Sequence, residues 1–285
     1  MTPFSINIRG HIREITVPQI MGIINVTPDS FYGDSRTLAS EAIEMRTRLL
    51  IAEGADMIDV GAYSSRPGAD DVSATEEMRR LRTGIEAIRR AAPDIPLSVD
   101  TFRADVARYS VEELGADIIN DIAGGLLDPN MIPTVARLGV PYILMHMRGT
   151  PATMQQHCNY TNLTSEVVNE LSQQISLCRE HGICDLIIDP GFGFSKNLNQ
   201  NFKLLSQIRL IETTFGCPVL AGVSRKSMIT KPLGINPAEA LNGTTVIHTI
   251  ALLQGAAFLR VHDAEAACQA RTLVGLYRDA EKSDI

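Results

Sequence analysis

Four polar residues close runs that are otherwise apolar: Asp100 in IPLSVD, Asn120 in LGADIINDI, Asp189 in LIIDPG and Lys226 in AGVSRKS. Charged and amide groups in such places are partly buried and must find partners. One arrangement is an internal ion-pair network, with Asp189 against Lys226. The other is a pocket for a flat heterocycle. A carboxylate accepts two hydrogen bonds from an amidine-like donor edge, while an ammonium donates to a carbonyl oxygen and a ring nitrogen. Four groups contributed by four separate runs favour the pocket.

A second set suits an anion. Ser65 and Arg66 share the loop SSRPG, and Arg260 and His262 share RVHD; hydroxyls, guanidinium and imidazole beside loop amides fit phosphate oxygens. Asn25 opens NVTPDSFYGDS, where its side-chain carbonyl suits Mg²⁺ beside a pyrophosphate. That loop reads either as a surface turn or, beside a site, as a lid. IIDPGFGFSK (187–196) reads as a phosphate cradle, a metal site or a turn, but GFGFSK lacks the spacing of a nucleotide P-loop. Any one strand-terminal Asp or Asn, taken alone, is explained as a helix cap. Asp121 and Thr101 are read that way.

Other chemistries are excluded by what is missing. The six histidines form no H-E-x-x-H or H-x-H pair, and no G-x-S-x-G occurs. Lys226 as a Schiff-base nucleophile has only Arg225 beside it as an activator. The five cysteines form no C-x-x-C pair, which fits reduced thiols better than disulfides or zinc.

The elements that must position these residues recur. A helical stretch, a glycine, a short apolar run and a polar end appear at 53–61, 114–122, 138–147, 181–191, 215–225 and 254–263. Gly54, Gly115, Gly139, Gly182, Gly216 and Gly255 each supply a left-handed helix end. The runs show no overall alternation, as expected of parallel strands covered on both faces. Residues 19–26 and 95–100 add two runs without the glycine, giving eight. The intervening segments are helical: Ser40 to Glu53, Ser73 to Ala91 with Ser73 and Glu76 at capping-box spacing, and Ser165 to His181. Eight strand–helix units predict a (β/α)8 TIM barrel, whose site lies at the carboxyl ends of its strands. A doubly wound sheet would carry a glycine fingerprint after its first strand, and NVTPDS is not one. FSINIRGHIREI predicts a hairpin over the barrel floor, about 4–17, with the barrel over about 19–280 of a single domain.

The 33 acidic and 26 basic residues give a net charge of −7, which argues against a nucleic-acid surface and leaves room for a local anion pocket. MTPFSINIRGHIRE has no apolar core of a signal peptide, and no run reaches membrane-spanning length, so a soluble cytoplasmic protein is expected.

MGIINVTPDSF, DVGAYSSRPGA, SVDTFRADVA, IINDIAGG, LMHMRGTPATMQ, IIDPGFGFSK, GVSRKS and RVHD resemble, in order, the signature segments of the dihydropteroate synthase family over roughly residues 19 to 275. The resemblance implies a (β/α)8 barrel, a homodimer, and the joining of 6-hydroxymethyl-7,8-dihydropterin pyrophosphate to 4-aminobenzoate in folate biosynthesis, a step that sulfonamides block. It implies that Asp100, Asn120, Asp189 and Lys226 hold the pterin with Met145 packed on it, and that Asn25 binds Mg²⁺. Ser65, Arg260 and His262 would meet the pyrophosphate. Arg66, Pro67, Phe194, Lys226 and Ser227 would shape the aminobenzoate site, while Asp29 and Asp34 belong to the lid. Asp100, Lys226, Arg260 and His262 would carry the catalysis, a dissociative substitution at the pterin methylene. The chain departs from the family where Tyr63 replaces an acid and where SFYGDS shifts Asp34 by one. Pterin-binding methyltransferases share the barrel, but the intact SRKS and RVHD segments weigh against them. A non-catalytic pterin-binding paralogue would tolerate Tyr63, yet no core site residue is missing.

Overall fold

The computed structural model describes residues 1–27, 36–63 and 72–283. Two antiparallel strands, β1 (Phe4–Ile8) and β2 (His11–Ile15), open the chain and pair Ile8 with His11. Arg9 and Gly10 turn between them with φ of 55° and 76°, the left-handed pair that a two-residue hairpin requires. Eight strands follow: β3 (Gln19–Asn25), β4 (Met57–Gly61), β5 (Leu97–Asp100), β6 (Ile118–Asp121), β7 (Tyr142–Met145), β8 (Leu186–Asp189), β9 (Leu220–Ala221) and β10 (Phe258–Val261). They form one parallel sheet in the order β8-β7-β6-β5-β4-β3-β10-β9. A parallel bridge between Ile188 and Val219 joins its two ends, so the sheet closes as a barrel.

The helices are α1 (Arg36–Ala52), α2 (Ala74–Ala91), α3 (Ala104–Glu112), α4 (Met131–Leu138) and α5 (Leu163–Glu180). They continue as α6 (Leu198–Leu205), α7 (Ile208–Phe215), α8 (Ser227–Leu233), α9 (Leu241–Leu253) and α10 (Ala264–Ser283). Each expected strand is present, and all six junction glycines have positive φ, between 60° and 102°. The last two crossovers use two helices each, where the sequence reading anticipated one. Helix α5 begins at Leu163, two residues before the expected start, because Asn162 accepts from the Ser165 amide. Ser73 does cap α2, but Glu76 turns to Arg79 and Arg80 instead of closing the box.

Side-chain parity along the strands divides the interior. Outward residues such as Ile24, Ile58, Val99, Leu144, Ile188 and Leu259 pack in the helix-facing core. Inward residues Met21, Met57, Ile118, Ile143, Ile187, Leu220 and Phe258 form a separate apolar layer sealed below by Ile6, Ile8 and Ile15 of the hairpin. Two residues further along β4, β6, β8 and β10 the inward positions turn polar: Asp59, Asn120, Asp189 and Arg260. The apolar floor therefore sets the depth at which the polar residues meet.

Candidate active site

Register brings the strand ends to one level. Asn25 pairs with Gly61, Gly61 with Asp100, and Asp100 with Asn120; on the far side Met145 pairs with Asp189. Lys226 enters from the loop after β9 as the residue before α8. The four candidates for a heterocycle pocket thus share the carboxyl-terminal mouth of the barrel.

At its centre lies a residue the sequence reading passed over. Asp59 is fully buried and accepts from Ser98 Oγ at 2.6 Å, from Asn120 Nδ2 at 3.3 Å to each oxygen, and from Arg260 Nε at 2.6 Å. Arg260 Nη2 also donates to Asp100 Oδ2 at 2.8 Å. One carboxylate therefore orients both the Asn120 amide and the Arg260 guanidinium, and the guanidinium in turn holds Asp100. Burial works against the Arg260 charge, but Asp59 and Asp100 outweigh it and hold the group above its ordinary range. Burial raises the Asp100 carboxyl, opposed by Arg260 and reinforced by Asp59. The signal for Asp59 was present in MIDVG: it follows Met57 by two residues, as Asp189 follows Ile187.

The anticipated alternative of an Asp189–Lys226 ion pair is not formed among the described residues. Both groups flank Gly222, where a Cβ would lie 3.5 Å from Asp189 Oδ2 and 3.7 Å from Lys226 Nζ. Asp189 Oδ1 accepts from the Gly191 amide at 2.7 Å, and burial raises its pKa, opposed by Lys226. Lys226 Nζ donates to Phe192 O at 2.6 Å and lies 4.7 Å from the centre of the Phe194 ring. Burial brings its pKa down to about 8, with Asp189 pulling the other way. With no side chain at Gly222, a carboxylate and an ammonium both border the same position, so one bound ring can use both.

His262 Nδ1 lies 2.9 Å from Ser224 Oγ, which also accepts from the His262 amide at 3.2 Å. The hydroxyl proton is then free to face Nδ1, which places the imidazole proton on Nε2. Burial, with Arg260 and Arg225 adding, lowers this histidine to about 4, so it is neutral near pH 7. Arg225 takes the left-handed conformation at φ 56° and pairs with Asp263 at 2.5 Å, tying the SRKS and RVHD loops together.

Met145 and Phe194 belong to an apolar layer with Ile122, Ala123, Met147, Met154 and Phe102 on one side of the mouth. Ser227 is exposed at the start of α8, and Asn25 is half-buried at the end of β3. Asp121 accepts from the amides of Ala123 and Gly125 and from Tyr142, and Thr101 accepts from the Arg103 amide; both are turn formers as expected. Tyr63 packs edge-on to Phe102, with the Arg103 guanidinium 5.4 Å from its ring centre. Ser65, Arg66, Pro67, Asp29 and Asp34 lie outside the described residues.

A single asparagine oxygen, with no group of three potential His, Cys, Asp or Glu ligands among the described residues, fits a hard cation that keeps its waters and is shared with substrate phosphates. It does not fit an all-protein metal cage.

The family model for pterin binding enzymes matches residues 21–262. The chain belongs to the dihydropteroate synthases of the pterin-binding enzyme family. It is 41% identical over 269 residues to the dihydropteroate synthase of Escherichia coli K12, covering 93% of this chain and 94% of that one. It is 42% identical over 255 residues to the Synechocystis enzyme of the same name, covering 88% and 86%. Among solved structures, the Yersinia pestis dihydropteroate synthase in a sulfonamide drug complex superposes with a TM-score of 0.88 at 36% identity, over 97% of this chain and all of that one. The Xanthomonas albilineans dihydropteroate synthase with 4-aminobenzoic acid does so with a TM-score of 0.88 at 38% identity, over 97% and 99%.

Proposed function

We propose that this chain joins 6-hydroxymethyl-7,8-dihydropterin pyrophosphate to 4-aminobenzoate, releasing 7,8-dihydropteroate and pyrophosphate. The observation that carries the reading is the convergence of Asp100, Asn120, Asp189 and Lys226 on one barrel mouth, with the Asp189 and Lys226 side chains both bordering Gly222. Asp189 accepts hydrogen bonds from the donor edge of the pterin, Asn120 and Lys226 serve its ring nitrogen and carbonyl, and Met145 packs on its face.

The bond between the methylene carbon and the pyrophosphate oxygen breaks first, leaving a cation that the electron-rich ring delocalises. Asp100 and Asp59 supply negative potential beside it. Arg260 commits Nε and Nη2 to those carboxylates, leaving Nη1 for a pyrophosphate oxygen, and neutral His262 donates from Nε2. Mg²⁺, when bound at Asn25, supplies further positive charge to the departing pyrophosphate. The arylamine nitrogen then attacks the methylene and its proton leaves to solvent. Phe194 and Lys226 form the described wall of the arylamine site, with Ser227 at its rim; Arg66 and Pro67 complete it. Ser65 meets the pyrophosphate, and the loop bearing Asp29 and Asp34 excludes water from the cation.

The reading extends to inhibition by sulfonamides, which occupy the arylamine site. It also extends to a cytoplasmic homodimer. Val246, Ile250 and Leu253 of α9 and Leu273, Leu276 and Tyr277 of α10 leave an apolar face outward, with Leu273 67% exposed, and such a face suits a second copy. No helix among the described residues is long and apolar enough to cross a membrane.

Purified protein with Mg²⁺ and both substrates should yield dihydropteroate by mass spectrometry, suppressed by a sulfonamide. Positional isotope exchange in the pyrophosphate without aminobenzoate would support the dissociative order. Its absence, with turnover strictly requiring both substrates, would count against that order.

A further inference from the structure

Lys196 is 3% exposed and takes no part in the pocket, yet it stands in the motif that supplies Asp189 and Phe194. Its Nζ lies 2.9 Å from His146 Nδ1, 3.4 Å from His146 O and 3.0 Å from Phe194 O. Three acceptors match the three N–H bonds of an ammonium. Burial lowers the Lys196 pKa to about 7, and Asp189 supplies the main charge opposing that fall.

The contacts continue outward. With Nδ1 accepting from Lys196, His146 carries its proton on Nε2, which lies 3.0 Å from Glu170 Oε2. Glu170 also pairs with Arg148, whose amide donates to Ser195 Oγ at 3.0 Å. Ser195, held left-handed at φ 48°, donates to Phe194 O at 2.8 Å. The Phe194 carbonyl is therefore gripped by a hydroxyl and an ammonium, both anchored to the β7 loop. On the pocket side Lys226 grips the neighbouring carbonyl of Phe192. A buried lysine and a half-buried one bracket one loop, and the loops are pressed so close that a Cβ on Gly191 would lie 2.0 Å from His146 O.

We infer that Lys196 is a positioning residue for the second substrate: with His146 and Glu170 it locks the β8 loop to the β7 loop and so fixes the Phe194 ring that packs on the arylamine. The inference rests on Phe194 lining the aminobenzoate site. It separates Lys196 from Lys226, which faces the pocket itself.

The test is a cycle of Lys196→Met, Phe194→Leu and the double variant, with kcat and both KM values measured and folding followed by thermal unfolding. Lys196→Met should raise the aminobenzoate KM about tenfold, what about 1.4 kcal/mol of lost positioning gives, and leave the KM for the pterin pyrophosphate within about twofold. In the Phe194→Leu background the same change should add less than about twofold, because the two residues act through one contact. An equal rise in both KM values, an undiminished effect in that background, or no change at all would overturn the inference. If Phe194→Leu alone leaves the aminobenzoate KM unaltered, the parent reading of Phe194 fails and the inference goes with it. Should Lys196→Met not fold, Glu170→Gln makes the same test from the partly exposed end of the network. There a rise in the aminobenzoate KM of about threefold, with the pterin KM steady, supports the inference. An unchanged value overturns it.

Discussion

Replacing Asp59 with asparagine tests whether one buried carboxylate organises the pocket. Asparagine keeps the shape and exchanges one oxygen for a donor. Ser98 can rotate its hydroxyl to accept from the new amide, and the remaining oxygen can take Arg260 Nε, now at 2.6 Å from Asp59 Oδ2. Asn120 Nδ2, which lies 3.3 Å from both carboxylate oxygens, then faces a donor on one side and keeps only the contact with the oxygen it shares with Arg260. A hydrogen bond between charged groups reduced to one with a neutral acceptor costs about 1–1.5 kcal/mol, and the weakened Asn120 contact beside the new donor about 1 kcal/mol more. Relief of the repulsion that Asp59 exerts on Asp100 opposes this, leaving about 2 kcal/mol. Thermal unfolding should show Tm lower by about 3–4 °C. Calorimetry with a dihydropterin should show binding weaker by about tenfold, because the Asn120 amide is held by one neutral contact in place of a carboxylate and no longer presents as fixed a face to the ring. The Asp100 carboxyl should titrate lower than in the parent. A variant with unchanged Tm and unchanged pterin affinity would refute the hub role and leave Asp59 a spectator beneath the site.

Lys226→Ala should fold with a normal unfolding transition and lose about 10²–10³ in kcat/KM, the scale of removing a preorganised charge; if it only unfolds the protein, Lys226 is structural. Gly222→Ala places a methyl 3.5 Å from Asp189 Oδ2 and 3.7 Å from Lys226 Nζ without a left-handed backbone to strain. It should therefore fold normally, but calorimetry should show pterin binding weaker by about tenfold or more; full affinity would show that the ring does not lie over Gly222. His248 is buried on α9 with Nε2 unpartnered, and burial lowers its pKa to about 4. The unfolded imidazole titrates near 6.5 and so binds more protons between those values. The stability this histidine permits is thus complete above about pH 6.5 and falls by about 1.4 kcal/mol per pH unit towards pH 4. Urea midpoints of the parent and His248→Leu should diverge over that window by this slope. Parallel curves would mean that the imidazole protonates without penalty.

The barrel was legible because its grammar is local. A glycine that must take positive φ, a covered apolar run and a polar terminus repeat with little variation, and Arg9-Gly10 marks the hairpin in two residues. Helix starts were less legible. A cap depends on which side chain reaches the first free amides, and Asn162 pre-empted Ser165. Asp100, Asn120, Asp189, Lys226, Arg260 and His262 were found because they terminate runs, and the structure brings them to one mouth. Asp59 was missed because it lies inside a run, and a run was read by its average hydropathy where inward parity was the relevant measure.

Parity also explains what these residues are asked to do. The inward positions of a small barrel are filled from several strands at each level, so the chemistry of a level is a joint property of sequence segments far apart. Here the lower level is apolar and sealed by Ile6, Ile8 and Ile15, which denies water to the carboxylates above from below. The level above carries Asp59, Asn120, Asp189 and Arg260 at fixed separations, because strands do not drift as loops do. Among the described residues, loops supply what must reach sideways, such as Lys226 and Phe194, each held by a carbonyl or a second lysine. A rigid polar floor that reads one flat substrate, beneath a braced loop that receives the other, is the division of labour that a two-substrate condensation requires. The two lysines of the β8 and β9 loops should then separate in kinetics, Lys226 affecting both substrates and Lys196 the second alone.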